Sequence, residues 1–321
     1  MINFKSMNVR MWSMLGQRGT FGTVMLELGA NIDNLMVLTG DLSTTSGLDR
    51  FKKSYPDKFL NIGIAEQNML GIAAGLAKEG YVVFVTTFAT FATMRSLEQV
   101  SVHMGYMRFN VKLVGLASGF AMGQFGNTHY GISDIATMRA IPNVVLLSPA
   151  DCGEVAKAIE AAALYHGPVY LRLTGVMNNP IVYKDDYNFE IGKAIILRQG
   201  SDITIIATGS MVYQALEAAK LLDDRSISAS VVNMHTIKPL DTSVIDEACN
   251  KKLIVTVEEH NIIGGLGGAV SEYKSRIDNA PRQVFIGIQD TFQKVGDYKY
   301  LLEQNSLTSS QIAERIISEV G

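Results

Sequence analysis

Glu66 sits in the run Asn61-Ile62-Gly63-Ile64-Ala65-Glu66-Gln67-Asn68-Met69-Leu70, which reads as a turn entering a helix. Three-and-four spacing sets Met69, Leu70, Ala73 and Ala77 on the face that carries Glu66. A carboxyl on an apolar stripe is costly unless it has a partner. Burial raises a carboxyl pKa, which suits a group that gives and recovers a proton near neutral pH. The plainer reading is that Glu66, in the first helical turn, complements the helix dipole. Downstream, Thr86-Thr87-Phe88-Ala89-Thr90-Phe91-Ala92-Thr93-Met94-Arg95 spaces Phe88, Phe91 and Met94 three apart. On one helical side they would form a soft, flat surface, either core packing or a platform for a flat heterocycle. The segment Phe125-Gly126-Asn127-Thr128-His129 offers an imidazole, a shuttle for protons or a structural residue.

Residues like these need a frame, and the frame is an alternation. β-branched runs read as strands near Leu35–Thr39, Val82–Thr87, Val111–Leu116, Val144–Leu147 and Val169–Leu173. A second series follows near Ile203–Ala207, Ser230–Met234, Leu253–Val257 and Val284–Ile288. The runs are nearly continuous in apolar residues, so both sheet faces should be covered. Helical patterns lie between them at Ile64–Glu79, Glu154–Tyr165, Val212–Leu222 and Leu266–Ser275. Such a chain is α/β, with two domains of mostly parallel sheets flanked by helices. Thr174-Gly175-Val176-Met177-Asn178-Asn179-Pro180 is a turn-rich break, which sets one domain at 1–180 and a second at 190–321. The glycines of Gly264–Gly268 lack dinucleotide-fingerprint spacing and read as a tight backbone turn.

Of the 321 residues, 47% are hydrophobic and 18% charged, enough apolar material for a large core. A formal charge of -3 points to neither nucleic acid nor an anionic membrane as partner. The two cysteines, Cys152 and Cys249, are far apart, so a disulfide framework or zinc site is not expected. Met1-Ile2-Asn3-Phe4-Lys5 contains no signal-peptide core, and the cytoplasm is the expected compartment.

Taken together, Gly40-Asp41-Leu42, Gly63-Ile64-Ala65-Glu66-Gln67-Asn68, the Phe88/Phe91 run and Asn127-Thr128-His129 come in the order seen in transketolases. They resemble the pyrimidine-binding domain of that family. Ile237-Lys238-Pro239-Leu240-Asp241, Glu258-Glu259-His260 and Gly264-Gly265-Leu266-Gly267 resemble its C-terminal domain. The GIAEQ run alone also occurs in 2-oxoacid dehydrogenase β subunits and deoxyxylulose-phosphate synthases. The resemblance implies thiamine diphosphate as cofactor. It implies that Glu66 hydrogen-bonds the pyrimidine ring nitrogen, favouring the imino tautomer that takes the thiazolium proton. It also implies that Phe91 stacks on the ring, that Phe88 and Met94 complete the pocket, and that Asp41 lies near the cofactor. His129 would sit over the reacting carbons. Arg172 would match a substrate-phosphate arginine, and Arg95 and Phe125 would line the substrate side. Without the resemblance, Asp41 could cap the following turn and Arg172 could form a surface or interface ion pair.

The departures are informative. The family's diphosphate and its Mg²⁺ (or Ca²⁺) are held through a Gly-Asp-Gly signature, which this sequence lacks. The resemblance therefore implies a separate diphosphate-binding subunit and an α2β2 heterotetramer acting on sugar substrates. Ordinary transketolases carry Asp-Gly-x-Thr-His, but here the aspartate has become Phe125. Ala117 and Ser118 stand where a histidine or arginine is usual. Each lost contact costs about 1–3 kcal/mol for a substrate that needs it, so the acceptor is expected to be a non-standard or activated sugar. The alternative is a 2-oxoacid dehydrogenase β-like or deoxyxylulose-phosphate-synthase-like subunit, which would use pyruvate.

Overall fold

The computed structural model describes residues 2 and 4–320. Met1, Asn3 and Gly321, which belong to the expected N-terminal stretch and domain ends, lie outside the described residues. Among the described residues the apolar runs form two sheets. The first holds β1 (Leu35–Thr39), β2 (Phe59–Asn61), β3 (Val82–Phe88), β4 (Val111–Ser118), β5 (Val145–Leu147) and β6 (Val169–Thr174), with β10 (Thr236–Lys238) at one edge. Its order is β10-β5-β6-β4-β3-β1-β2, parallel except where β10 meets β5. The second holds β7 (Ile195–Arg198), β8 (Ile203–Ala207), β9 (Ala229–Asn233), β11 (Leu253–Asn261) and β12 (Arg282–Ile288). Its order is β12-β11-β8-β9-β7, and only β7 runs antiparallel, against β9. Strands β1, β4, β6, β8 and β9 are buried along their whole length, as helices on both faces require.

Helices Glu66–Lys78, Cys152–Leu164, Met211–Asp223 and Leu266–Lys274 stand where the periodicity placed them. The longest helix, Ser6–Asn31, was not foreseen, and neither were the short strands β2, β7 and β10. Its Val9, Trp12, Phe21, Val24 and Met25 are buried in one core with Val155 and Ile159 of the Cys152–Leu164 helix. It breaks at Gly16, whose backbone leaves the helical region at φ 73° and ψ 174°. No helix among the described residues is long and apolar enough to cross a membrane.

The two sheets meet in a polar seam, and the chain crosses it. The Ile237–Asp241 run contributes β10 to the first sheet, although it follows β7 to β9 of the second. Lys238 Nζ donates to the carbonyl of Arg139 at 2.9 Å and also to that of Ile141. Beside it, Glu258 accepts from the backbone N–H of Leu266 at 2.6 Å and of Gly267 at 2.8 Å. The helix Leu266–Lys274 thus begins on a buried carboxylate. Gly265 is forced by that approach, since a Cβ there would lie 2.0 Å from Glu258 Oε2. Burial pushes the Glu258 carboxyl up to about 7. His260 is equally buried, and burial pushes it down to about 4. Its Nδ1 donates to the Asn261 carbonyl at 2.7 Å, and its Nε2 accepts from Ala136 N at 3.3 Å, so the ring is neutral.

At the centre of the seam lies Arg172, with no exposed surface. Its Nε donates to both Asp134 oxygens, at 2.8 and 3.1 Å. Its Nη2 donates to the carbonyls of Glu259 at 2.8 Å and Gly131 at 3.1 Å. Burial works against the charge, but Asp134 and Glu259 outweigh it and hold the guanidinium above its ordinary range. Removing one partner of such a pair leaves an uncompensated buried charge. Asp134→Ala is therefore expected to lower unfolding stability by about 3–5 kcal/mol, read as the shift of the urea midpoint at constant slope. A loss under about 1 kcal/mol would show that the pair is not needed to neutralise Arg172.

Candidate active site

The site forms where ligands commonly bind α/β sheets, outside the carboxyl ends of neighbouring strands. β1 ends into Gly40-Asp41, β2 leads through Asn61 into the Glu66–Lys78 helix, β3 ends at Phe88, and β4 feeds the loop that reaches His129. Glu66 opens its helix, so the dipole reading holds, but it is also 2% exposed. Met69, Leu70 and Ala73 on the same face are buried, while Ala77 is half-buried. The carboxylate has found partners. Arg95 Nη1 donates to Oε1 and to Oε2, each at 2.9 Å, and Thr87 Oγ1 donates to Oε1 at 3.3 Å.

The aromatic surface is built differently from the expected helical stripe. Phe88 is the last residue of β3, and Phe91–Arg95 forms a π-helical turn, a form frequent at functional sites. Met94 is 59% exposed, with its Sδ beside Thr137 Oγ1 at 4.0 Å, and is not part of the ring cluster. The third ring comes from the loop after β4. Ring centres lie 5.9 Å apart for Phe88 and Phe91, 6.0 Å for Phe88 and His129, 5.3 Å for Phe91 and His129, and 5.1 Å for Phe125 and His129. Three phenylalanines therefore surround one imidazole, whose Nδ1 is 2.9 Å from Thr128 Oγ1. The guanidinium carbon of Arg95 lies 4.0 Å from the centre of the Phe91 ring, so Arg95 both stacks on Phe91 and pairs with Glu66.

Asp41 holds a left-handed backbone, φ 62°, that few non-glycine residues adopt. Its support is Asn61. Asn61 Oδ1 accepts from Asp41 N at 3.0 Å and from Gly63 N at 3.1 Å, and Asn61 Nδ2 donates to Asp41 Oδ1 at 2.9 Å. Asp41 is thus clamped to the turn before Glu66, and the side chain does not cap the turn that follows it. Asn61 carried no signal in the sequence beyond its place at the head of the Glu66 run.

Ala117 and Ser118 are buried at the end of β4, and Ala117 is also left-handed, φ 54°. The loop beyond is pinned at its neck. Gly119 N donates to Gly131 O at 2.8 Å, and Gly131 N returns to Gly119 O at 3.2 Å. Glu259 reaches across the seam and accepts from Phe120 N at 2.6 Å. Only glycine fits at 119, where φ is 65° and a Cβ would lie 2.1 Å from Glu259 Oε1. At its tip, Asn127 Nδ2 donates to Gln293 O at 2.7 Å and its Oδ1 accepts from Gln293 N at 2.8 Å. Arg172, expected at a substrate phosphate, is placed elsewhere: it is fully buried in the seam, below this loop's Gly131 end.

The arrangement can hold a flat, nitrogen-bearing group between a buried carboxylate and an aromatic face, with an imidazole at its edge. The tip of the His129 loop depends on the two-point contact of Asn127. Asn127→Ala is expected to speed hydrogen–deuterium exchange of the backbone amides in residues 119–131 by about 5- to 30-fold, the equivalent of about 1–2 kcal/mol of lost hydrogen bonding. Unchanged exchange there would mean that the neck alone holds the loop.

Comparison with known proteins agrees with this geometry. Residues 14–176 match the transketolase pyrimidine binding domain, and residues 192–312 match the transketolase C-terminal domain. A putative transketolase C-terminal section from Methanocaldococcus jannaschii is 42% identical over 95% of this chain and 96% of its own length. A 6-deoxy-6-sulfo-D-fructose transketolase subunit from a Clostridium species is 38% identical over 92% of this chain and 91% of its own length. A solved structure described as a split gene transketolase, inactive beta4 tetramer, superposes with a TM-score of 0.84 at 37% identity, covering 95% of this chain and 97% of that one. The chain belongs to the transketolase family and comprises its pyrimidine-binding and C-terminal domains.

Proposed function

We propose that this chain is one subunit of a split, thiamine-diphosphate-dependent transketolase, active when joined to a diphosphate-binding partner. One observation carries the reading: a nearly inaccessible carboxylate, Glu66, and the ring of Phe91 are both met by one planar group, the Arg95 guanidinium. The residues fit an aminopyrimidine, because a planar, nitrogen-bearing side chain, that of Arg95, already satisfies both contacts. Glu66 would hold the ring nitrogen, Phe91 would stack on the ring, Phe88 would close its edge, and Asp41 and Met94 would lie around the rim. When bound, the cofactor supplies the nucleophilic carbon chemistry that moves a two-carbon ketol unit from a ketose to a carbonyl acceptor. Glu66 shares a proton with the ring nitrogen and recovers it, the work of a positioned acid. The half-buried rings of Phe88 and Phe91 would limit water at that exchange. His129 holds or moves a proton at a substrate hydroxyl, steadied by Thr128. Arg95 offers a cation on the substrate side. Arg172 acts on substrate through the loop it anchors, having no surface to offer.

We place the metal and diphosphate on that partner, in an α2β2 assembly, because these 321 residues carry no Gly-Asp-Gly and a solved relative of matching span is named a split gene transketolase. The solved relative composed of β chains alone is named inactive, which supports that division. A relative named for a sulfonated fructose supports a specialised sugar as substrate.

The test is co-expression with a partner subunit bearing Gly-Asp-Gly, followed by a screen of ketose donors, pyruvate and carbonyl acceptors read by mass spectrometry. The expected result is ketol transfer by the complex and none by this chain alone with Mg²⁺ and thiamine diphosphate. Robust turnover by the chain alone, or use of pyruvate in place of ketoses, would overturn the reading. In the complex, Glu66→Gln is expected to lower turnover by about 100-fold or more at saturating cofactor, together with deuterium exchange at the thiazolium carbon.

Phe125 is expected to set acceptor choice, because a ring packed on His129 replaces a hydroxyl-reading carboxylate. Phe125→Asp should shift kcat/KM toward ribose 5-phosphate and glyceraldehyde 3-phosphate by about 10-fold or more, the scale of one regained polar contact. If the native complex already prefers those aldose phosphates and the substitution changes nothing, Phe125 plays no part in acceptor choice.

A further inference from the structure

Arg95 satisfies, with one side chain, both contacts that the proposed cofactor site offers. Its Nη1 lies 2.9 Å from each Glu66 oxygen, and its guanidinium carbon lies 4.0 Å above the Phe91 ring. A guanidinium and an aminopyrimidine share the features these contacts read: an N–H at the edge of a planar group that meets a carboxylate, and a π face that stacks on an aromatic ring. One Phe91 face and one carboxylate edge cannot serve both at once.

We propose that Arg95 holds the pyrimidine's place in the unliganded chain, and that cofactor loading is an exchange in which Arg95 leaves Glu66 and Phe91. The inference rests on the reading of this cleft as the pyrimidine site. Three features make Arg95 the group that yields. First, its side chain is 44% exposed while that of Glu66 is 1% exposed, so the arginine has water to move into and the carboxylate does not. Second, Arg95 closes the π-helical turn Phe91–Arg95, and Ser96 leaves helical geometry at φ -115° and ψ 23°, so the backbone there is not locked in a regular helix. Third, among the described residues Glu66 has only Thr87, at 3.3 Å, besides Arg95, so the carboxylate accepts any better-placed donor that arrives. The contrast with Arg172 is direct: that arginine has four carbonyl or carboxylate contacts and no exposed surface.

The exchange has a consequence for Glu66. Against Arg95, which is always protonated, the carboxylate is an acceptor only. Once Arg95 has left, Glu66 is free to share a proton with a ring nitrogen. Occupancy by Arg95 therefore keeps the buried acid compensated before loading, and it lowers the apparent affinity of the site for the pyrimidine by the fraction of chains in which the cleft is free.

The experiment uses the full chain and, as probe, 4-amino-5-hydroxymethyl-2-methylpyrimidine, the pyrimidine half of the cofactor. Binding is followed by calorimetry and by the Nε–H resonance of Arg95 in arginine-¹⁵N-labelled protein, assigned by its loss in Arg95→Ala. The expected result is weak binding by the native chain with a displaced Arg95 resonance. Arg95→Ala should bind the probe at least ~10-fold more tightly, the size of one competing charge-assisted hydrogen bond. Arg95→Lys, which keeps the charge but loses the flat stack, should fall between the two and provides a folded variant should the alanine substitution unfold the chain. Methylguanidinium should compete with the probe in Arg95→Ala. Equal or weaker binding by both variants, confirmed as folded by circular dichroism, would overturn the exchange, as would probe binding that leaves the Arg95 resonance in place. Absence of probe binding in all three proteins would instead overturn the pyrimidine-site reading and the exchange with it.

Discussion

A guanidinium sealed from water must be neutralised where it stands, and Arg172 imposes that demand on the middle of the molecule. Its partners come from two separate stretches of chain: Gly131 and Asp134, where the His129 loop runs into a short helix, and Glu259 from β11 in the second sheet. Each must arrive for the others to be satisfied. Glu259 then turns its side chain to Phe120 N, at the other end of the same loop, and to the hydroxyls of Ser210 and Tyr298. The backbone of Glu259 serves Arg172 while its carboxylate serves the loop neck, so one residue links the buried charge to the site. These polar groups join the two halves together with apolar contact: Phe120 and Tyr130 pack into the core of the second sheet, and Ile237 and Ala269 into a core of the first.

The same rule, applied to a pair at the edge, gives a different outcome. Glu66 is as buried as the seam carboxylates, but its arginine is nearly half exposed. A fully buried pair is fixed because opening it strands both charges in a low dielectric. A pair with one partner at the surface can open toward water on that side, at the cost of compensating a single group. The location of each arginine, and not its residue type, decides whether its charge is locked into the fold or can turn to water. Sequence context pointed to both Arg95 and Arg172 as substrate ligands, and only burial separates them.

Much of the frame was legible because it depends on local pattern. Apolar runs of strand length and three-and-four spacing located the central strands and four principal helices, and Glu66 on its apolar stripe was found the same way. What escaped depends on distant partners. β10 is three residues long and becomes a strand only by pairing with β5, and β7 is half-exposed and set by its antiparallel register on β9. The Ser6–Asn31 helix is interrupted by Gly16, which breaks its periodicity. The spacing of Phe88, Phe91 and Met94 suggested one helical face, but a strand end followed by a π-helical turn breaks the three-residue rule and leaves Met94 outside. Asn61 and Asn127 act through backbone groups of loops, which no pattern of side-chain types announces.

These constraints also explain how the Phe125–His129 loop is held by residues distant in sequence. Phe125 lies between two pins, the Gly119–Gly131 neck with Glu259 and the Asn127–Gln293 contact. Tyr130 adds a third, its one hydroxyl proton shared between Gly123 O at 2.7 Å inside the loop and Lys294 O at 2.9 Å beyond it. The partners outside the loop, Glu259, Gln293 and Lys294, all belong to the C-terminal half of the chain. A shift of the segment around Gln293 would therefore move Phe125 and His129 together and change the packing of His129 on Phe88 and Phe91. The Phe125–His129 loop is thus held from the C-terminal half of the chain, whereas Glu66 is held by Thr87 and Arg95 of the first half.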